Sequence, residues 1–387
     1  MTDVQRINDR LEDQLKTYIN FEFPECLSDP TLSPSKEDKQ FMELMDCELK
    51  VVNGHYQVPL PFRGDVNMPN NKPQAYMYAK HLNGRLSKDK DLLEQYTEFM
   101  NKMEDKNYSE RVPEEELERS EGKSTWYIPH HAVKHPQKKT VRVVFNCPSR
   151  YKGVSLNDQL LQGPDLTNRL HGIIMRWRQE YTAIMADIES MYYQVYVPPE
   201  SKDGGLWWPN GDLTQDPQVY RMKVHVFGAI SSPTCANYAL RRCAMDNADK
   251  YDTHVIEAIL HDFYVDDFVK SVKEESTAGR LVTGVKECLA KGGFNLVKWM
   301  SNSRTVLETI PSEDRAKGLK NLDIRREDLP VERTLGVLWN VESDQIGFNV
   351  KEVDPKATRR NILSVISQVY DPIGITAPYI LKGKKIL

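Results

Sequence analysis

Two adjacent acids interrupt an apolar, strand-forming run in His261-Asp-Phe-Tyr-Val-Asp-Asp-Phe-Val269. Asp266 and Asp267 must lie in a tight turn, or one of them is forced toward the core, where a bare charge is costly unless a cation compensates it. These residues alone leave two readings open. One is a hairpin whose exposed turn happens to carry both acids; the other is a site that holds a metal ion.

A third acid bears on the choice. Thr182-Ala-Ile-Met-Ala-Asp187-Ile188 is a short apolar run with an acid at its end, 79 residues before Asp266. An acid at a strand end is well placed to converge with a neighbouring turn. Enzymes that join nucleotides use such carboxylates to hold two Mg²⁺ ions about 3.5–4 Å apart, one activating the primer 3′-hydroxyl and one gripping the triphosphate. Further blocks stand at Arg142-Val-Val-Phe-Asn-Cys147, Lys152-Gly-Val-Ser-Leu-Asn-Asp-Gln-Leu-Leu-Gln-Gly-Pro-Asp-Leu-Thr-Asn168, Ala186-Asp-Ile-Glu-Ser-Met-Tyr-Tyr-Gln-Val195 and Tyr370-Asp-Pro-Ile-Gly-Ile-Thr-Ala-Pro378. With these the chain resembles the reverse transcriptase of the BEL/Pao group of LTR retrotransposons. The blocks follow the family's order and cover most of the chain from about residue 40 onward.

The resemblance implies an α+β right hand: an antiparallel palm sheet backed by helices, with fingers before it and part of a thumb or connection after it. It implies an RNA-directed DNA polymerase that transfers a nucleotide from a dNTP to a primer 3′-hydroxyl with two Mg²⁺ ions, or Mn²⁺ in their place. Asp187 and Asp266 would bridge the metals, the backbone carbonyl of Ile188 would be a further ligand, and Asp267 a weaker or alternate one. The partners implied are an RNA or DNA template with its primer, and dNTPs. The family's protease, ribonuclease H and integrase lie outside this chain.

Other residues take roles from the same resemblance. Tyr192, five positions after Asp187, stands where reverse transcriptases keep an aromatic that closes the space of a ribose 2′-hydroxyl; packing within the palm is the alternative. Phe227-Gly-Ala-Ile-Ser-Ser-Pro233 resembles the segment that meets the templating base and incoming nucleotide, with Gly228 permitting close backbone approach and Ser232 and Pro233 forming a helix cap and first turn. Phe227 replaces the Gln of some retroviral enzymes. Arg142 resembles the fingers arginine that grips the triphosphate. It belongs to a stretch, residues 134–157, with six basic side chains and no acid, including Lys138 and Lys139, which suits phosphate contacts or a solvated hairpin equally. Lys298 lies near the leaving pyrophosphate or caps a helix end. Leu335-Gly-Val-Leu-Trp339 resembles the hairpin that seats the primer terminus, Gly336 giving the bend and Trp339 a flat apolar surface, with core packing as the alternative. Tyr264 is a nucleic-acid contact.

Composition is compatible with a soluble enzyme. The 387 residues suffice for two or three subdomains, and a net charge of −4 argues against indiscriminate coating of nucleic acid. Charge is patterned: residues 104–121 hold eight acids and three bases, reading as a solvated helix or linker arm. Six scattered cysteines without a Cys-x-x-Cys pair argue for reduced thiols and against a zinc site. His130, His131 and His135 are expected near carbonyls or solvent rather than on a metal. No apolar run approaches the roughly 18 residues needed to span a bilayer and the first 20 are not signal-like, so a cytoplasmic location is expected, in virus-like particles if the family's habit holds.

The expected organisation is a connector over 1–40, disordered or holding a short helix; an N-terminal extension and fingers over 41–180; a palm over 181–310; and a primer-grip hairpin with the start of a thumb or connection over 311–387. Helices are predicted over Asp91–Met103, after Pro164-Asp165 with Leu170, Ile173, Ile174 and Trp177 on one face, and through Leu281, Val282, Val285 and Leu289 up to Gly292-Gly293. Two other functions remain: a truncated or inactive remnant that serves only as a nucleic-acid-binding scaffold, and a metal-dependent nuclease using the same carboxylates.

Overall fold

Thr182–Ile188, here β1, is buried along its whole length except at Asp187, and a strand that is apolar on both faces belongs at the centre of a covered sheet. The computed structural model, which describes residues 34–64, 68–119, 126–134, 140–199, 204–348 and 358–386, places it there. The fold is mixed α+β with antiparallel sheets. In the sheet around β1, Phe263–Tyr264 (β2) and Asp267–Val272 (β3) form a hairpin, β3 pairs with one side of β1, and Leu296–Ser301 (β4) pairs with the other, giving the order β4-β1-β3-β2. All pairings are antiparallel.

Four helices cover this sheet. Leu170–Trp177 (α1) turns Ile173, Ile174 and Trp177 inward as its spacing predicts, and packs on β3. Ser232–Asp246 (α2) is buried almost all round, as its Thr, Cys and Ala content allows. Thr253–His261 (α3) leads directly into the hairpin. Glu275–Ala290 (α4) buries Leu281, Val282, Val285 and Leu289 and ends before Gly292. The cap position of α2 is Ser231 rather than Ser232, without a side-chain cap bond; Ser232 is the first helical residue, and its hydroxyl donates to the Val226 carbonyl at 2.8 Å.

The apolar side chains form two cores. One surrounds the four-stranded sheet and also takes in Phe41 and Met45 of the helix Lys36–Glu48. The other gathers the helices Lys72–Leu86 and Lys90–Asp105, the hairpin of His130–Lys134 with Val141–Phe145, and residues from 193 to 229, including the strands Gly204–Trp207 and Gln218–Met222. A division near residue 180 is therefore crossed in both directions, because Phe41 belongs with the later core and Tyr220 with the earlier one. The connector expected over 1–40 lies mostly outside the described residues; its last five positions already belong to a helix capped by Ser35.

A three-stranded meander, Val331–Thr334, Val337–Asn340 and Gln345–Gly347, follows β4. Its first turn is Leu335-Gly336, with φ of 48° and 84°, the backbone of a two-residue hairpin loop positive at both places. A Cβ on Gly336 would lie 2.2 Å from the Tyr370 ring, so any other residue there would strain the backbone and displace that ring. Trp339 is 0% exposed. Its ring meets Trp177 edge-on at 5.0 Å, its indole N–H donates to Asp344 at 2.9 Å, and Asp344 is gripped by both arms of Arg178 at 2.7 Å. Trp339 is thus a core residue and offers no face to a ligand, which corrects its expected contact with nucleic acid. Replacing it (Trp339→Ala) is predicted to cost about 3–5 kcal/mol, as for large aromatic truncations in cores, measured as a lower urea midpoint with an unchanged slope.

Candidate active site

The register of β3 on β1 sets Asp267 directly opposite Asp187. Facing residues in an antiparallel pair share one face of the sheet with Cβ atoms about 5 Å apart, and like charges so placed repel. Tyr264 faces Asp267 from β2, so it is on the carboxylate face too, half-buried at the sheet edge. Asp266 and Val265 form the two-residue loop between β2 and β3, and the Asp266 carbonyl accepts a hydrogen bond from Ile188 N–H at 2.9 Å. Val265 has φ of 56°, a left-handed backbone that a β-branched residue adopts only when its surroundings impose it.

On the other side of β1, Val297 faces Asp187, and a bulge inserts one extra residue before Met300 pairs with Met185. Lys298 lies in that bulge at φ of 57°, and bulges re-aim side chains. Its ammonium reaches across to Asp187 at 3.0 Å. It does not cap a helix. One cation thus stands against three carboxylates. Burial, the Asp187 charge and then the relief from Lys298 leave Asp266 raised above the usual carboxylate range. Asp267 is pushed up to about 7, by burial first and by Asp266 and Asp187 next.

The aromatic wall stands beside these acids. Ser190, at φ of 52°, starts a single 3₁₀ turn over Met191–Gln194. Tyr192 in that turn is half-buried, and burial together with the Asp266 charge holds its hydroxyl above its ordinary value. Phe227 lies over it, ring centroids 4.4 Å apart at 37°, and meets Tyr193 edge-on at 5.3 Å. Gly228 has φ of 116°, and a Cβ there would sit 2.2 Å from the Phe145 carbonyl oxygen. At Gly228 the chain's own backbone makes such a close approach.

The remaining candidates lie apart. Arg142 is exposed on its strand opposite Val133. Lys138 and Lys139, and His135, fall outside the described residues. His130 is buried rather than solvent-facing, bonded to the Tyr96 hydroxyl at 2.8 Å, and burial lowers its pKa to about 4. Sequence reading missed Asp262, 1% exposed at the base of the hairpin, with Arg176 at 2.8 Å and Lys270 at 2.7 Å; a desolvated acid needs such partners on both sides. Its one signal is an acid at the end of α3, directly before an apolar strand.

Asp187, Asp266 and Asp267 are hard oxygen donors with a charge excess that a divalent cation would relieve. Among the described residues, no group of three His, Cys, Asp or Glu side chains forms a ready cage for a metal ion. Mg²⁺ is ordinarily held by one or two carboxylates plus substrate phosphates rather than by an all-protein cage, so the donor set fits that ion. No helix among the described residues is long and apolar enough to cross a membrane.

A raised carboxyl is also a stability statement. Between about pH 4 and 7 the folded chain keeps a proton on Asp267 that the unfolded chain has released, so its contribution to stability is lost as pH rises through about 7. Asp267→Asn is predicted to stabilise the protein by roughly 1–3 kcal/mol above pH 7, after allowance for solvent screening, with the gain shrinking toward pH 4. Melting temperatures across that range check it; a gain independent of pH would contradict it.

No protein-family profile matches this chain, and no curated protein matches it. Its structure is similar to that of a foamy viral protease-reverse transcriptase solved in complex with double-stranded DNA, at 12% sequence identity and a TM-score of 0.46, over 90% of this chain and 51% of that one. The chain spans about half the length of that protein.

Proposed function

We propose that the chain is the polymerase portion of an LTR retrotransposon of the BEL/Pao kind, an RNA-directed DNA polymerase. The observation that carries this reading is the facing pair Asp187 and Asp267 with Asp266 in the adjoining strained turn, two of these three acids raised by burial and mutual repulsion. The sheet around β1 is the palm, the hairpin of His130–Lys134 with Val141–Phe145 belongs to the fingers, and the helices Arg359–Ile366 and Ala377–Ile386 begin a thumb or connection.

Asp187 and Asp266 would hold two Mg²⁺ ions, with Asp267 as an alternate ligand and the Ile188 carbonyl as a further one. When bound, the ions polarise the triphosphate and make the primer 3′-hydroxyl more acidic. The chain's own groups position the reactants. Tyr192, backed by Phe227, walls off the space beside the dNTP sugar; Arg142, Lys138 and Lys139 meet phosphates; Tyr264 and the Gly336 turn face the primer strand. Lys298, released from Asp187, faces the departing pyrophosphate. The 3′-hydroxyl gives up its proton to solvent, its oxygen attacks the α-phosphorus in line, the bond to the bridging oxygen of the β-phosphate breaks, and pyrophosphate leaves. Positioning and charge neutralisation supply most of such catalysis.

The substrates are dNTPs and an RNA or DNA template with its primer, and the location follows the family, in the cytoplasm and its particles. One observation favours the scaffold alternative: Asp187 already has a cation in Lys298. Primer extension decides. On poly(rA)/oligo(dT) with dTTP and Mg²⁺ or Mn²⁺, the chain is predicted to extend the primer, and Asp266→Asn to lose at least about a hundredfold, the scale of removing one preorganised charge-stabilising group. Extension that survives in the variant overturns the proposed role of the acids, and tight primer-template binding without any extension by the parent chain makes it a scaffold.

A further inference from the structure

The aromatic wall rests on a residue that no motif assigns. Asn157 lies in the short helix Leu156–Gln159, which Ser155 and Asp158 cap reciprocally, so its backbone is fixed. Its side-chain N–H donates to the Gly228 carbonyl at 3.0 Å, and its side-chain oxygen accepts from Ile230 N–H at 3.1 Å. One amide thus holds both ends of the turn that follows Phe227. The same turn passes close to the Phe145 carbonyl, whose oxygen a Cβ on Gly228 would meet at 2.2 Å. Phe227 itself is 42% exposed, and the rings it meets are Tyr192, tilted at 4.4 Å, and Tyr193, edge-on at 5.3 Å. Tyr192 in turn lies close enough to Asp266 for that charge to raise its hydroxyl's pKa.

We propose that Asn157 is a positioning residue for sugar selection: through the Gly228 turn it fixes the Phe227 ring, and through that ring the face that Tyr192 presents to the sugar of an incoming nucleoside triphosphate. The inference rests on the polymerase reading above. Asn157 touches no substrate. The Phe227 ring cannot hydrogen-bond a sugar, so its part in excluding a 2′-hydroxyl is steric and depends on where it holds the Tyr192 ring. A ring held by contacts on its flanks moves when its backbone anchor is released. Two neutral hydrogen bonds are at stake, enough for roughly a tenfold effect on selection.

The test is a double-mutant cycle on the full chain, with Asn157→Ala, Phe227→Ala and the pair, reading kcat and KM for dTTP and for UTP on poly(rA)/oligo(dT). Asn157→Ala is expected to raise KM for dTTP and to lower the preference for dTTP over UTP by roughly tenfold, with kcat for dTTP and primer-template affinity little changed and the melting temperature lowered by only a few degrees for the two lost hydrogen bonds. Because Asn157 acts through Phe227, the pair should lose no more selectivity than Phe227→Ala alone. Should Asn157→Ala not fold, Asn157→Asp takes its place: it keeps the acceptor for Ile230 N–H and loses the donor to Gly228, and the same non-additivity is expected. Selectivity unchanged in the Asn157 variants, or additive losses in the pair, overturns the inference while leaving the polymerase reading intact. No extension by the parent chain overturns that reading, and this inference with it.

Discussion

Repulsion between acids that the sheet forces together is the interaction on which the rest of this structure turns. The pairing of β3 with β1 would be easier with any neutral residue opposite Asp187. Instead the chain surrounds an unfavourable junction with covered strands, close-packed helices and a paired buried acid, Asp262, at the hairpin's base. Val265 holds a left-handed backbone in the turn, and Lys298 is bent out of its strand by a bulge to meet one of the acids. Each is a local cost, and costs that cluster at one place point to use rather than accident.

The periodic elements were legible because packing and periodicity agree. The stripe of Leu170, Ile173, Ile174 and Trp177 reads as a buried helix face and the apolar run ending at Asp187 as a buried strand; both are so. The helix predicted over Asp91–Met103 runs from Lys90 to Asp105, its start set by the Asp89 side chain accepting from Leu92 N–H at 3.0 Å. What the sequence left open was settled by contacts between distant segments. Trp339 reads as an exposed ring or a core ring with equal ease until Trp177 and Asp344 are seen to enclose it. The two cores interleave residues from both halves of the chain, and no composition shift marks that exchange.

The acids themselves were visible as residue types but not as an electrostatic group. Their spacing places them in different strands; only the register makes Asp187 and Asp267 face each other, and only then do burial and the neighbouring acids raise Asp267. Lys298 shows the same limit: its position after Val297 says nothing of the extra residue in the bulge that turns it toward Asp187. Asn157 sits within a block quoted for its resemblance, yet its hold on the turn after Phe227 depends on a segment 71 positions away.

The central claim is that the charge excess at this junction is kept for a divalent cation. Mn²⁺ binding to the chain with primer-template and a non-hydrolysable dNTP, followed by electron paramagnetic resonance, tests it most directly. Saturable binding that Asp187→Asn abolishes is the result the account predicts; equal binding by parent and variant would contradict it.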